Sequence, residues 1–434
     1  MPKKIEVEPI TRLEGYGGLK VVLGDNGKIK DVQFNITSTR FFEKFLEGRY
    51  CEHINRITPR ICGICSIPHH LAPTKAVEDA WGIEIPPAAL KLRKLLMNAK
   101  QYSSHALHFY ALAAPDFLLG PIADPALRNI VHVIEKMPDV GGMALKMMDF
   151  GQQLCAAVGG KSIHPVTAIV GGMKKPLDEF NRDKFLKQIE DQVEWAKKTV
   201  DIGLKLVDDY WDVIANIGVV PTYYAGMTKN GIHDIYEGDI RIVTPDGEKT
   251  DCDFHKYLDC LGEHIPKHSY ASHMYYKPKG YPEGIYRAGP LAMINAVDKM
   301  ATPLANEALK NFRDKTGPIS HHTFAYHWAR LIELIESIEV IASLLQDPDI
   351  VNPDCKTFDV QPRQAEGIGL VEAPRGLLLY HIWSDDDGIC KKANLLVATN
   401  HNIAGIEKTL LHVAKQVFEE KVLDSIKLPD PWIK

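Results

Sequence analysis

The sequence predicts an α-rich α+β protein: one large helical domain with small β-sheets at its periphery. Three observations carry this expectation. Apolar residues recur at helical spacing through 59–219 and again through 291–434. A short N-terminal stretch alternates at period two. Residues 220–290 lose both patterns and are rich in Gly, Tyr, Asp and Lys. No internal repeat or low-complexity linker separates these regions, so 1–434 reads as a single interleaved domain.

Residues 1–58 are expected to form an N-terminal β unit. The apolar run 21–23 leads into Asp25-Asn26-Gly27, a hairpin signal, and Val32, Phe34 and Ile36 alternate behind it. The first half of the helical core, 59–219, contains a helix opened by Pro86-Pro87 and bearing Leu90, Leu92, Leu95 and Leu96. A long helix after Pro176 sets Phe185, Ile189, Val193, Val200, Leu204 and Val207 on one face. Residues 220–290 read as a β-rich insertion with a turn at Thr244-Pro245-Asp246-Gly247. In 291–434 helical pattern returns over 321–346. A β-like stretch surrounds 376–380, and a last helix carries Ile403, Ile406, Leu410, Val413 and Val417.

The chain has 434 residues, 45% of them hydrophobic, ample for a large core. A net charge of −5 gives no basic excess for nucleic acid and no acidic tail. The opening MPKKIEVEPITRLEG has two lysines but no apolar run behind them, unlike a secretory signal. The most apolar stretch, 105–123, is broken by Pro115, Asp116 and Pro121, whereas a membrane span needs about 20 mostly apolar residues. A cytoplasmic protein is expected. Of eight cysteines only Cys62 and Cys65 form a CxxC pair; the other six are scattered and read as buried small hydrophobes, with disulfides not expected.

The sharpest local feature is Arg60-Ile61-Cys62-Gly63-Ile64-Cys65-Ser66-Ile67-Pro68-His69. Two thiols three positions apart can converge on one soft or borderline metal such as nickel, iron, copper or zinc. Spacing alone leaves three readings open. One is a metal centre and one is half of a structural zinc site, which would need a second ligand pair. The third is a redox dithiol, which would need a βαβ context.

The wider sequence resembles the large subunits of nickel–iron hydrogenases. The Cys62–Cys65 string resembles that family's first cysteine motif. Pro9-Ile10-Thr11-Arg12-Leu13-Glu14-Gly15 resembles its N-terminal motif, and Arg40-Phe41-Phe42-Glu43 its Arg-x-x-Glu segment. His108-Phe109-Tyr110 with Asp116, Gly159-Gly160 with Ile163-His164-Pro165, and Val170-Gly171-Gly172 follow in family order. Glu372-Ala373-Pro374-Arg375-Gly376 and the segment 394–402 complete the series. Within the family the likeness is to the viologen-reducing type of methanogenic archaea, associated with heterodisulfide reductase. Tyr16 stands where the family usually has His.

The resemblance implies heterolytic cleavage of dihydrogen at a nickel–iron centre whose iron carries carbonyl and cyanide. Cys62 would be a terminal nickel ligand and Cys65 a bridging one. Glu14 would carry protons away from a terminal thiolate, a task suited to a buried carboxyl. Arg375 and Asp116 would form a charged canopy over the open metal position. Pro374 would pack near the iron's diatomic ligands, and Thr399 would donate to a cyanide. Glu43 would hold a structural magnesium-type ion, and His69 would tune a bridging sulfur from behind.

Half of the ligand set is not in this sequence. The family's second motif, Asp-Pro-Cys-x-x-Cys-x-x-His, has no counterpart, and Cys390 is single. The sequence stops at Leu428-Pro429-Asp430-Pro431-Trp432-Ile433-Lys434, where that ligand strand would begin. A separate small peptide with Cys or selenocysteine ligands is therefore expected. An unfinished sequence and a metal-free, hydrogenase-like scaffold are the rivals. A respiratory quinone module fits less well, because such chains lose the CxxC ligands. One CxxC cannot also hold a relay cluster, which typically needs four cysteines. The resemblance supplies an iron–sulfur small subunit and, beyond it, a heterodisulfide reductase complex as partners.

Overall fold

In the computed structural model residues 4–38 and 41–432 are described; Arg40 of the Arg-x-x-Glu segment lies outside them. The core is built from long helices whose apolar faces meet. Pro87–Leu107, Pro138–Gly159, Ile189–Asp209 and Ala325–Gln346 pack side by side. The Pro87 helix starts where expected, with proline in its first turn, where the missing N–H is harmless.

The long helix expected after Pro176 is two helices, Glu179–Leu186 and Ile189–Asp209. The first is capped by Asp178, whose side chain accepts from the Asn181 amide at 2.8 Å. Phe185 and Ile189 flank the break and are both buried, so the chain jogs without losing its apolar face. Periodicity cannot register such a jog.

Five small sheets surround this core among the described residues. The N-terminal unit is the antiparallel sheet Lys4–Val7, Gly18–Leu23, Ile29–Asn35. Its hairpin closes with the Gly27 amide donating to the Gly24 carbonyl at 2.9 Å, and Gly27 sits at φ +76°. The β-rich segment forms a five-stranded sheet and the pair Leu261–His264 with His273–Tyr276. It is not a detached insertion. Ala225, Met227, Ile240 and Met274 share one apolar cluster with Ile368, Leu370, Leu377 and Leu379 of the late sheet.

That late sheet, Ala365–Ala373, Gly376–Ser384 and Cys390–Leu396, positions the site. Its first strand lies against the helix Pro68–Trp81. Gly367 and Gly369 make the approach possible: a Cβ at Gly369 would stand 2.0 Å from the Ala72 carbonyl oxygen, and one at Gly367 2.3 Å from that of Ala76. The Lys75 ammonium reaches across to the Leu370 carbonyl at 2.6 Å. Ascending the strand, contacts descend the helix toward its N-terminus. The Pro374-Arg375 turn therefore arrives beside Glu14, at the N-terminal end of that helix. No helix among the described residues is long and apolar enough to cross a membrane.

Cys51, Cys155, Cys355 and Cys390 are free and buried, as expected. Cys62–Cys65 and Cys252–Cys260 are disulfide-paired, contrary to the sequence-based expectation. In both pairs a turn brings thiols close in sequence together in space.

Candidate metal centre

The CxxC segment leaves a short 3₁₀ turn, Thr58–Ile61, and enters the helix Pro68–Trp81. This half-extended loop puts Cys62 and Cys65 5.4 Å apart at Cα, with their sulfurs joined. The Cys65 amide donates to Cys62 Sγ at 3.1 Å, a contact that favours negative charge on that sulfur. Both cysteines are partly exposed. Metal binding requires them reduced, as thiolates.

Glu14 is on the loop between the first two strands. Its Oε1 lies 3.6 Å from Cys62 Sγ, and Glu14, Cys62 and Cys65 place their ligand atoms within 4.8 Å of one another. The other oxygen, Oε2, stands 2.9 Å from the Arg375 guanidinium. Arg375 occupies a two-residue hairpin with Pro374, between paired Ala373 and Gly376. Asn402 donates to the Arg375 carbonyl at 2.7 Å. Gly289 lets that carbonyl approach, since a Cβ there would sit 2.8 Å from it. Arg375 also donates to Ser104 Oγ at 3.1 Å. Burial lowers its pKa, and Glu14 opposes the shift.

Asp116, the other residue expected above the metal, is not paired with Arg375. Its carboxylate accepts from Arg12 at 2.7 and 2.9 Å and from Arg128 at 3.0 Å. Two arginines share that carboxylate, and Glu14 stands at Arg375. Arg12 also donates to the Leu112 carbonyl at 3.2 Å, which pins the Glu14 loop to the helix below. Here the helix widens into a π-turn, His108–Ala113, before resuming at Ala114–Leu118. Such turns are rare and often mark functional sites.

The remaining expected residues divide. His69 is buried in the first turn of its helix, with Nδ1 2.7 Å from the Tyr380 hydroxyl. Pro374 is buried, and its carbonyl accepts from Arg330 at 3.1 Å. Glu43 is exposed on the helix Phe42–Leu46 and accepts from the Leu395 amide at 2.8 Å. Thr399 is exposed in the first turn of Ala398–Phe418. Tyr16 is exposed and donates to Glu8 at 2.9 Å.

Behind Arg375 lies a buried polar network that no sequence motif announces. Arg330 contacts His105 Nδ1 at 3.3 Å, and His105 Nε2 meets Glu333 at 2.8 Å. Gln101 donates to the same carboxylate at 3.0 Å. Burial alone would raise the Glu333 pKa, but the hydrogen bond from His105 and the nearby His233 ring hold it at about 2. Glu372 is different: burial and the nearby Glu333 charge push its carboxyl well above the usual range. Glu333 and Glu336 are buried among the apolar residues of the helix Ala325–Gln346, where charge is costly unless paired. That mismatch was the available signal.

The two sulfurs, with a carboxylate and a guanidinium beside them, fit half of a four-thiolate metal site. Among the described residues no other cysteine joins the Cys62–Cys65 group. The nickel-dependent hydrogenase family model matches residues 40–122, and a HoxL-like one matches 4–39. A subunit of the vhu F420-non-reducing hydrogenase of Methanocaldococcus jannaschii is 49% identical over 417 residues, covering 96% of this chain and 100% of that one. The corresponding vhc F420-non-reducing hydrogenase chain of Methanococcus voltae is 41% identical, covering 99% and 90%. Among solved structures, an NAD+-reducing nickel–iron hydrogenase in its dihydrogen-reduced state superposes with a TM-score of 0.91 at 32% identity, covering 99% and 95%. The chain belongs to the nickel-dependent hydrogenase family, as a large subunit. Within that family it is similar to the large chains of methanogen F420-non-reducing hydrogenases.

The helix behind the centre carries an acid-sensitive element. Burial lowers the pKa of His69 to about 3 and of His70 to about 4. His70 Nδ1 faces the Asn55 carbonyl at 2.7 Å and its Nε2 accepts from the Ala168 amide at 3.0 Å, an arrangement that needs the neutral ring. Between the folded and unfolded pKa values the unfolded chain binds more protons. Stability is therefore lost as pH falls from about 6.5 toward 4, on the order of 3 kcal/mol per histidine. The urea midpoint of the chain should drop between pH 7 and pH 5; a flat midpoint would contradict this.

Proposed function

We propose that this chain splits dihydrogen heterolytically and carries half of the nickel site that does so. The observation that supports it most is the line Cys62, Glu14, Arg375: a sulfur, a carboxylate 3.6 Å away, and a guanidinium 2.9 Å beyond it. Cys62 and Cys65 would hold the nickel–iron centre from this chain's side. The bound centre supplies an electron-rich, Lewis-acidic position at which the apolar H–H bond is polarised.

The chain's own groups then handle the proton. Glu14 Oε1 accepts it from Cys62 Sγ. Arg375 keeps the Glu14 carboxylate oriented and presents a fixed positive charge over the pair. Asn402, Gly289 and Ser104 fix the Arg375 turn. Pro374 would lie near the iron's carbonyl and cyanide ligands, and Thr399 would donate to a cyanide. Glu43 would hold a magnesium-type ion, and Asp116 would act through Arg12 by seating the Glu14 loop.

We infer that a short separate peptide supplies the other two soft ligands. The partial exposure of Cys62 and Cys65, and the exposure of Glu43, leave them within a partner's reach. The chain spans the whole of the vhu relative but 90% of the vhc relative. Electrons would leave through an iron–sulfur small subunit toward a heterodisulfide reductase complex. This rests on the single CxxC and on the family likeness.

The test is Arg375→Lys in the nickel-loaded complex. Lysine keeps the charge but loses the planar fork. Nickel should be retained while dihydrogen-dependent dye reduction falls by at least about 100-fold, the scale of losing one aligned donor. Unchanged turnover would remove Arg375 from the mechanism.

A further inference from the structure

Away from the Cys62–Cys65 centre, three side chains from distant parts of the sequence converge near the surface. They are His268 in the loop before the strand His273–Tyr276, His273 at that strand's start, and Glu407 on the helix Ala398–Phe418. Their ligand atoms all lie within 4.8 Å of one another. His268 Nε2 is 2.8 Å from Glu407 Oε2, and His273 Nε2 is 3.7 Å from the same oxygen.

A plain hydrogen-bonded cluster does not account for His273. It is 1% exposed, and its Nε2 has no hydrogen-bond partner among the described residues. Its Nδ1 lies 3.3 Å from the Tyr281 hydroxyl. If Nδ1 carries the proton, Nε2 turns a lone pair toward a carboxylate oxygen. If Nε2 carries it, 3.7 Å is too long for a hydrogen bond. Glu407 Oε2 already accepts from the Phe34 amide at 3.1 Å as well as meeting His268. Two lone-pair-bearing atoms held face to face in a buried position call for a cation between them.

We propose that His268, His273 and Glu407 form a second metal site, for a borderline divalent transition ion of the zinc class. Two imidazoles and one carboxylate are a zinc-type donor set. Bonds of about 2.0–2.2 Å in a tetrahedron separate ligand atoms by roughly 3.4 Å, which falls between the two distances seen here. Tyr281 supplies the outer contact that orients a ligating histidine. The side chains of His268 and Glu407 are 22% and 16% exposed, so the fourth position opens to water.

The bound ion would clip three elements together. The His268 loop is already tied to the end of the N-terminal sheet, where the Tyr270 amide donates to the Ile36 carbonyl at 2.9 Å. Glu407 brings the helix, and through Phe34 the strand Ile29–Asn35. The site shares no residue with the nickel ligands, so it can be emptied without touching them.

The experiment uses the native complex, equilibrated with zinc at buffered micromolar free concentration and then analysed for metals. One zinc per chain should be present in the parent and missing from His268→Ala and from Glu407→Gln, with nickel unchanged in both. Zinc affinity in each variant should fall at least about 100-fold, as for lost metal-site contacts. Cobalt in place of zinc should give visible ligand-field bands in the parent that both variants lose. His268 is partly exposed, so its replacement leaves the fold intact and keeps the result readable. Equal zinc in parent and variants, or no zinc in the parent, overturns the proposal.

Discussion

Cys65→Ser is expected to abolish nickel retention and dihydrogen oxidation together. Nickel that cycles between oxidation states needs soft, anionic sulfur, and a serine oxygen is hard and protonated at neutral pH. The backbone should tolerate the change. The Cys65 amide that reaches Cys62 Sγ at 3.1 Å belongs to the main chain, and the helix behind it begins independently at Pro68. Loss would therefore come from chemistry, not from unfolding. Elemental analysis of the purified complex measures it. Full nickel in this variant would mean that Cys65 is not a ligand.

Glu14→Gln is expected to keep nickel and lose turnover by about 10²–10⁴-fold, the range for removing a positioned proton-transfer group. Glutamine has the same shape and can still set an oxygen beside Arg375, but it cannot take a proton from sulfur. Glu14→Asp should recover part of the rate, because a carboxylate remains on a shorter arm. Dihydrogen-dependent dye reduction, normalised to bound nickel, reads both. Unchanged turnover in Glu14→Gln would route the proton elsewhere.

Much of this was legible in the sequence because local rules agreed with the fold. The Asp25-Asn26-Gly27 turn made its hairpin, and Pro87 opened its helix. The order of motifs around Cys62, Glu14 and Arg375 carried the family, which comparison then showed. What stayed hidden depends on contacts between distant segments. A jog between Leu186 and Ile189 leaves helical periodicity intact. Asp116 meets Arg12 and Arg128, while Glu14 meets Arg375. Only the folded chain sets that pairing. The buried network of His105, Glu333 and His233 has no sequence motif, because its members lie more than 200 residues apart on one side and 100 on the other. Its trace was Glu333 and Glu336 set between Leu331, Leu334, Ile335 and Ile338.

The central claim is that this chain brings two of nickel's soft ligands and another polypeptide brings the rest. Intact-mass analysis of the native complex, with nickel measured on the same sample, tests it most directly. The expected result is nickel together with a separate species of a few kilodaltons bearing Asp-Pro-(Cys or selenocysteine)-x-x-Cys. Metal bonds should hold that peptide through purification, since forming such a site contributes on the order of 10 kcal/mol. Nickel without any such peptide, on a chain heavier than 434 residues, would contradict the split site. A complex with neither nickel nor peptide would make the chain a metal-free scaffold.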